Sequence, residues 1–420
     1  MMKNDLDRVL VFSDCYIYGG SERLMSFLMN NDFLNKKFNL TLAFRNSKDY
    51  NKGLKGDLIN VSENKIIALC LLSNETLFHL INCLNCPGIV KKILKAPFFI
   101  IQKLGIYALW NLIVFSKLLK SQTPSIIHIN NGGYPAAKSC NVFVLANYLF
   151  GRAKVIYQVN NQAQPASFFG RLMDKFIKKH ISFFVTASYL AKEKLIRLRG
   201  FNPDSIKVIN NCVIPIKPVL SRKQICGELK IAEDSFIITQ VAFLTNRKGQ
   251  AKLIGAIDIL FQLHPELQKK IYVLFIGNGE DERALKNLVT QLQLQSNLLF
   301  LGFKQNSHEY IAISDVFALP SISDEDMPLV LLSALCLGKP IIASNFAGIK
   351  QVILNNVNGL LVDLNESEFE QSLADAIYRL YKNSQFREEL AKKAKESFLA
   401  FTPEQYGLNL SRIYCDALKK

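Results

Sequence analysis

The carboxylates of Asp324, Glu325 and Asp326 stand immediately before an apolar run that opens at Met327-Pro328, a setting able to hold hydroxyl groups beside a phosphate. The surrounding segment, Val316–Ser344, reads VFALPSISDEDMPLVLLSALCLGKPIIAS. Its pattern predicts a strand over Val316–Leu319, a Pro-Ser stop, a helix, a Gly338-Lys339-Pro340 stop and a second strand. Pro328 suits the first turn of that helix, where its missing N–H costs nothing and its fixed φ is already helical. The amides of Leu329, Val330 and Leu331 are then expected to face outward as anion donors. Carboxylates cannot ligate that anion, but they accept hydrogen bonds from hydroxyls. The plain alternative is that the three acids only cap the helix dipole, and spacing alone leaves both readings open.

Other candidates follow predicted strands. Arg247 and Lys248, in VAFLTNRKGQ (241–250), precede a helix. Positive charge is disfavoured there by the dipole, so the pair is either solvated or balanced by a ligand anion. Gly19-Gly20-Ser21-Glu22-Arg23 follows the first strand, and a glycine pair lets backbone approach a phosphate at a helix start. His128, in IIHINNGGYP, either packs in a core or contacts a substrate, with Asn130, Asn131 and Tyr134 beside it as candidate acceptor contacts. Asn160, in Asn160-Asn161-Gln162, can bond a sugar hydroxyl but cannot titrate, so it has no acid–base role.

Taken together, these residues resemble glycosyltransferase family 4, whose usual pattern is P-S-x-x-E-G-[FM]-P-L-V-L-L-E-A followed by G-K-P-[VI]-I-A. Pro320, Ser321, Glu325, Met327 to Leu332, Ala334 and Gly338 to Ala343 match, with one extra residue between Ser321 and Glu325. Lys248-Gly249 resembles the end of the family's G-R-L-x-x-x-K-G, Gly277-Asn278-Gly279-Glu280 its G-x-G-p-e turn, and Leu301-Gly302-Phe303 the loop bordering the base. Three positions depart: Phe243 stands for the arginine, Asn160 for a histidine near the transferred sugar, and Ser333 for the second glutamate that would grip the ribose. The resemblance is strongest from Phe183 to Tyr381 and reaches weakly to the N-terminal glycine loop.

The resemblance implies an α/β protein of GT-B fold, two Rossmann-like domains with parallel sheets facing an interdomain cleft. It implies a retaining, metal-independent glycosyltransferase of hexosyltransferase type with a nucleotide-diphosphate sugar as donor and no resident cofactor. Lys248 and Glu325 would be the catalytic residues. Gly19, Gly20, Arg247, Met327, Pro328, Leu329, Val330 and Ser333 would complete the donor site, with Asn160 and His128 on the acceptor side. A catalytically silent GT-B subunit acting in binding or scaffolding is the alternative from another class, and a sugar-nucleotide epimerase of similar fold a third.

Composition sets the rest. At 420 residues two domains are the default. Alternating strands and helices place the first domain at residues 1–214, the second at 215–400 and a C-terminal helix at 401–420 that packs back on the first, with Pro215–Glu233 as linker. Up to Ile216 there are 28 Lys/Arg against 12 Asp/Glu, so the whole +16 net charge lies there and the remainder is balanced. That asymmetry points to an anionic membrane surface or a phosphorylated lipid, since no nucleic-acid motif accompanies it. Ala96–Phe115 carries Lys103 alone as a charge; it reads as a spanning helix, a buried helix pair, or a surface segment docking on a membrane, the last favoured by flanking lysines. Nine scattered cysteines and a charged N-terminus without a leader pattern predict a cytoplasmic protein peripheral on the inner face of the cell membrane. Cys83-x-x-Cys86 lacks zinc-spaced partners. The acceptor would be a lipid-linked or oligosaccharide intermediate of a bacterial surface polysaccharide such as lipopolysaccharide or capsule.

Overall fold

Short runs such as VLVF (9–12) and VLFI (273–276) are apolar on both pleat faces, which suits strands buried between helix layers. A computed structural model describes residues 6–58, 61–323, 325–365 and 367–420 and bears this out; Asp324 lies outside them. Two units form. The first runs up to Thr186 and adds Ala191–Ile209 and Tyr406–Lys420; the second holds Ala187–Leu190 and Asn210–Gln405.

The first unit is built on a parallel sheet of β1 (Asp7–Ser13), β2 (Phe38–Arg45), β3 (Ile66–Leu69), β4 (Ile126–Asn131), β5 (Lys154–Val159), β6 (Phe183–Thr186) and β7 (Ile206–Val208), in the order β3-β2-β1-β4-β5-β6-β7. Its core packs Phe12 edge-on against Phe115 and Phe143, with centroids 5.2 and 4.9 Å away. The second unit's parallel sheet comprises β8 (Phe236–Val241), β9 (Ile271–Ile276), β10 (Leu298–Phe300), β11 (Val316–Leu319), β12 (Ile341–Ser344) and β13 (Leu360–Val362), ordered β10-β9-β8-β11-β12-β13.

Several expectations shift. The first domain ends before residue 210 rather than at 214, because Asn211 Nδ2 donates to the Met327 carbonyl (2.9 Å) and the Val213 amide to the Phe401 carbonyl (3.2 Å). The stretch read as a linker contains the helix Arg222–Leu229, capped by Ser221, whose hydroxyl accepts the Gln224 amide at 3.2 Å. The helix after β4 runs from Lys138 to Phe150.

The apolar segment forms two helices, Gly88–Lys103 and Ile106–Gln122, bent 58° at a break, and neither is long and apolar enough alone to cross a membrane. The second buries Phe115, Leu118 and Leu119, whereas the first buries none of its side chains. The reading as a buried helix pair therefore fails for the first helix.

Candidate active site

In the second sheet β8 and β11 lie side by side while their following strands depart to opposite sides, which creates a crevice beyond their carboxyl ends. The loop after β8 ends in a tight turn, Asn246–Lys248, and the loop after β11 runs from Pro320 toward Pro328. The two are stitched together by the Ile322 amide, which donates to the Arg247 carbonyl at 2.9 Å. Gly249 lets them approach: its φ is +69°, and a Cβ there would stand 1.9 Å from the Pro320 carbonyl oxygen. At this crossing Lys248 Nζ donates to Glu325 Oε2, both groups being nearly buried. Ser321 Oγ donates to the same oxygen at 3.1 Å, and the half-exposed Arg247 guanidinium lies 4.0 Å from it. Gln240 Nε2 fixes the Lys248 carbonyl at 2.8 Å. One carboxylate thus sits between two cations at the mouth of a helix.

That helix, Leu329–Cys336, starts one residue later than expected. Pro328 is its N-cap with extended ψ (130°), and its carbonyl takes the Leu331 amide at 3.1 Å. Of the three amides expected to face outward, Leu331's therefore turns inward. Met327 is buried, its carbonyl held by Asn211. Ser333 Oγ donates to the Leu329 carbonyl at 3.1 Å, so the hydroxyl that replaces a carboxylate is engaged on its own helix. Phe243, on the loop after β8, is 57% exposed and brings no charge. Sequence reasoning missed Asn278 as an organiser. Its carbonyl accepts the Leu244 amide (3.0 Å) and its Oδ1 the Phe303 amide (2.8 Å), tying the loops after β8, β9 and β10 together.

The first sheet has its own switch point, between β1 and β4. Gly19 caps the helix Gly20–Met29, and its amide donates to Glu22 Oε2 at 3.1 Å. Burial raises the Glu22 carboxyl above its usual range. The glycine loop therefore already holds one carboxylate from its own chain. Beside it, Asn160 Nδ2 donates to Asn130 Oδ1 (2.6 Å) and the Asn131 carbonyl (3.0 Å), while Asn130 Nδ2 donates to the Ser21 carbonyl (3.3 Å). Asn160 Oδ1 accepts from Gln158 Nε2 at 2.7 Å.

His128 does not reach this edge. It is fully buried, with Nδ1 2.7 Å from Tyr414 Oη and Nε2 2.9 Å from Gln158 Oε1. Gln158 Oε1 also accepts from Tyr406 Oη (2.9 Å), so the network assigns the proton to Nε2 and has Tyr414 donating to Nδ1. Asn131 and Tyr134 are likewise buried, bonded to Tyr157 Oη (2.9 Å) and Asp174 (2.9 Å). These three are packing residues, and the acceptor role expected of His128 is corrected. A further buried set, Arg45 bonded to Asp14 Oδ2 at 2.9 Å with Ser139 also on Asp14, braces the loop leading to Gly19. It carried no motif that sequence could flag.

With this geometry in view, residues 221–397 match the family described as Glycosyl transferases group 1, a stretch enclosing Arg247, Lys248, Glu325 and Ser333. Residues 221–397 are a group 1 glycosyl transferase domain. The chain is 28% identical to the UDP-Gal:alpha-D-GlcNAc-diphosphoundecaprenol alpha-1,3-galactosyltransferase of Escherichia coli, across 64% of this chain and 70% of that one. It is 27% identical to the N-acetyl-alpha-D-glucosaminyl L-malate synthase of Bacillus anthracis, across 47% of this chain and 49% of the relative. Over several other leading relatives it spans half of their length or less. The crystal structure of Anabaena HepE in complex with UDP superimposes with a TM-score of 0.73 at 17% identity, covering 97% of this chain and all of that one. The fold is GT-B. The site crossing at Gly249 thus lies wholly within the group 1 domain, whereas the amide network of Asn130 and Asn160 lies outside it.

Burial holds His128 neutral, with its pKa pushed down to about 4 from an ordinary 6.5. A histidine whose folded pKa is depressed lets the unfolded chain bind more protons between those values, so stability rises with pH through that window. Wild type is expected to lose about 2 kcal/mol between pH 7 and pH 5 through this group. Denaturant unfolding at both pH values checks it: a His128→Asn variant with the same pH slope as wild type would rule the assignment out.

Proposed function

We propose that this chain is a retaining glycosyltransferase of hexosyl type. It moves a sugar from a nucleotide-diphosphate sugar to a lipid-linked glycan acceptor in bacterial surface-polysaccharide synthesis, without a metal or resident cofactor. The observation that carries the proposal is the Arg247–Lys248–Glu325 crossing at the switch point of the second sheet. When the donor diphosphate enters, Lys248 passes from Glu325 to a phosphate oxygen, and Arg247 adds a second positive charge where family relatives have an arginine at the Phe243 position. Glu325 Oε2, released, accepts hydrogen bonds from hydroxyls of the sugar. As the sugar–phosphate bond breaks, negative charge grows on the departing diphosphate, and the two cations with the amides of Leu329 and Val330 stabilise it. The acceptor hydroxyl attacks on the face the diphosphate leaves and gives its proton to the departing phosphate oxygen, so no side-chain nucleophile is required. Asn160, unable to titrate, orients a hydroxyl.

UDP in HepE and the undecaprenyl-diphosphate acceptor named for the E. coli relative support these choices of donor and acceptor class. The exposed apolar helix Gly88–Lys103, carrying Lys91, Lys92, Lys95 and Lys103, supports residence on the cytoplasmic, anionic face of a membrane. Phe243 and the backbone-engaged Ser333 favour the competing reading, a catalytically silent binding subunit.

One experiment separates them: purified full-length chain incubated with a panel of UDP-, GDP-, ADP- and TDP-sugars, with isolated bacterial membranes as acceptor. Transfer from one donor is expected, with the anomeric configuration retained by NMR and the rate unchanged by a chelator. No hydrolysis or transfer with any donor would leave the silent subunit standing.

A further inference from the structure

The helix Phe168–His180 begins at the carboxyl edge of the first sheet, on the loop that leaves β5 through Asn160. Ser167 caps it, its hydroxyl accepting the Gly170 amide at 3.2 Å. A helix covering a parallel sheet should bury its apolar side chains; this one buries Ile177 but turns its first residues outward. Phe168 and Phe169 are 75% and 80% exposed, with Leu172 and Met173, one turn on, also exposed. Two adjacent phenylalanines left in water contribute nothing to this fold. Next to them Arg171, Lys175, Lys178 and Lys179 are exposed, while the helix's acid, Asp174, is buried against Arg199 at 2.7 Å. The outer face is therefore aromatic and apolar at its tip and purely basic beyond it, the composition that settles at an anionic lipid interface.

A second observation points the same way. The helix Ile106–Gln122 packs on Lys138–Phe150, which packs on Phe168–His180. The helix at the other end of this row carries exposed Leu109 and Trp110, with exposed Leu104 just before its start. Apolar groups therefore project at both ends of one layer of helices in the first unit.

We propose that the helix Phe168–His180 is a second membrane contact, its Phe168-Phe169 tip entering the headgroup–acyl boundary of an anionic bilayer while its lysines meet the headgroups. With contacts at both ends of the row, the sheet edge bearing Asn160 is held toward the lipid surface, and a lipid-linked acceptor is met without leaving the bilayer. This rests on the reading of the chain as peripheral, with a lipid-linked acceptor.

The test uses the full chain, sedimented at low salt with phosphatidylcholine vesicles with or without phosphatidylglycerol. Wild type is expected to partition onto the anionic vesicles, and Phe168→Ser/Phe169→Ser to lose about tenfold in partition. Because both rings are exposed, donor hydrolysis in solution stays at the wild-type rate, while transfer to membrane-borne acceptor falls. If wild type binds and the double variant binds equally well, this inference is overturned and the peripheral reading survives. If wild type binds neither vesicle, the peripheral reading fails and takes this inference with it. If light scattering shows the double variant to be a monomer where wild type is a dimer, with lipid binding unchanged, the patch joins two copies of the chain and the proposal is wrong.

Discussion

Lys248→Ala is expected to lower donor turnover by about a hundred- to a thousandfold, the usual effect of removing one group aimed at developing negative charge. The same substitution also acts on the resting protein. Glu325 is nearly buried and takes hydrogen bonds from Lys248 and Ser321, so deleting the lysine leaves its carboxylate facing the Arg247 guanidinium at 4.0 Å. Breaking a buried pair costs about 3–5 kcal/mol, and the half-exposed arginine places this case toward the lower end. Turnover and stability therefore have to be pulled apart. The double variant Lys248→Met/Glu325→Gln removes both charges with little change in shape. It should recover most of the lost stability and none of the lost turnover. Melting curves alongside kcat for the three proteins make the comparison. If turnover simply followed the folded fraction, the pair would be structural and the catalytic assignment would fall.

Gly249→Ala should do comparable damage without touching a charge. At φ +69° a side chain costs about 1–2 kcal/mol by itself. The greater penalty comes from the Pro320 carbonyl oxygen, 1.9 Å from where the new methyl would sit, with no flexible side-chain end to move aside. The loops after β8 and β11 must separate by more than an ångström, which breaks the Ile322–Arg247 backbone bond and carries Lys248 away from Glu325. A loss of roughly 3 kcal/mol or more is expected, together with a turnover defect as large as that of Lys248→Ala. A variant that melts with wild type and turns over normally would show that the crossing is not locked by this glycine.

How far the sequence alone could reach is clearest residue by residue. The second unit was legible because its strands are short apolar runs closed by Gly, Pro and Ser, and because Lys248, Glu325 and Pro328 sit at fixed offsets from those stops. Their meeting was foreseen as a role, but not as an ion pair, because the closeness of the two loops depends on Gly249 and the Pro320 carbonyl, which no local pattern reports. The first unit was read less well. β3 (Ile66–Leu69) is a four-residue edge strand, too short for a period-2 pattern to emerge. His128 looked like a candidate ligand because a histidine on a strand gives no hint of which face is wet. Its burial is decided by Tyr414, nearly three hundred residues on. The exposed tip of the helix Phe168–His180 is not legible in the sequence, since periodicity reports a stripe without saying whether the sheet or the solvent receives it.

The tyrosines of the last helix bear on the order in which the chain can finish folding. β4 and β5 are made early, yet His128 and Gln158 between them have hydrogen-bonding capacity that only Tyr406 and Tyr414 fill. During synthesis the whole of the second unit emerges before those two hydroxyls do. The group 1 domain can thus close its sheet while His128 Nδ1 still lacks the Tyr414 hydroxyl and Gln158 Oε1 still lacks that of Tyr406. Gln158 also bonds Asn160, so the hydrogen-bond network behind that sheet edge is completed only when the last turns of the protein arrive.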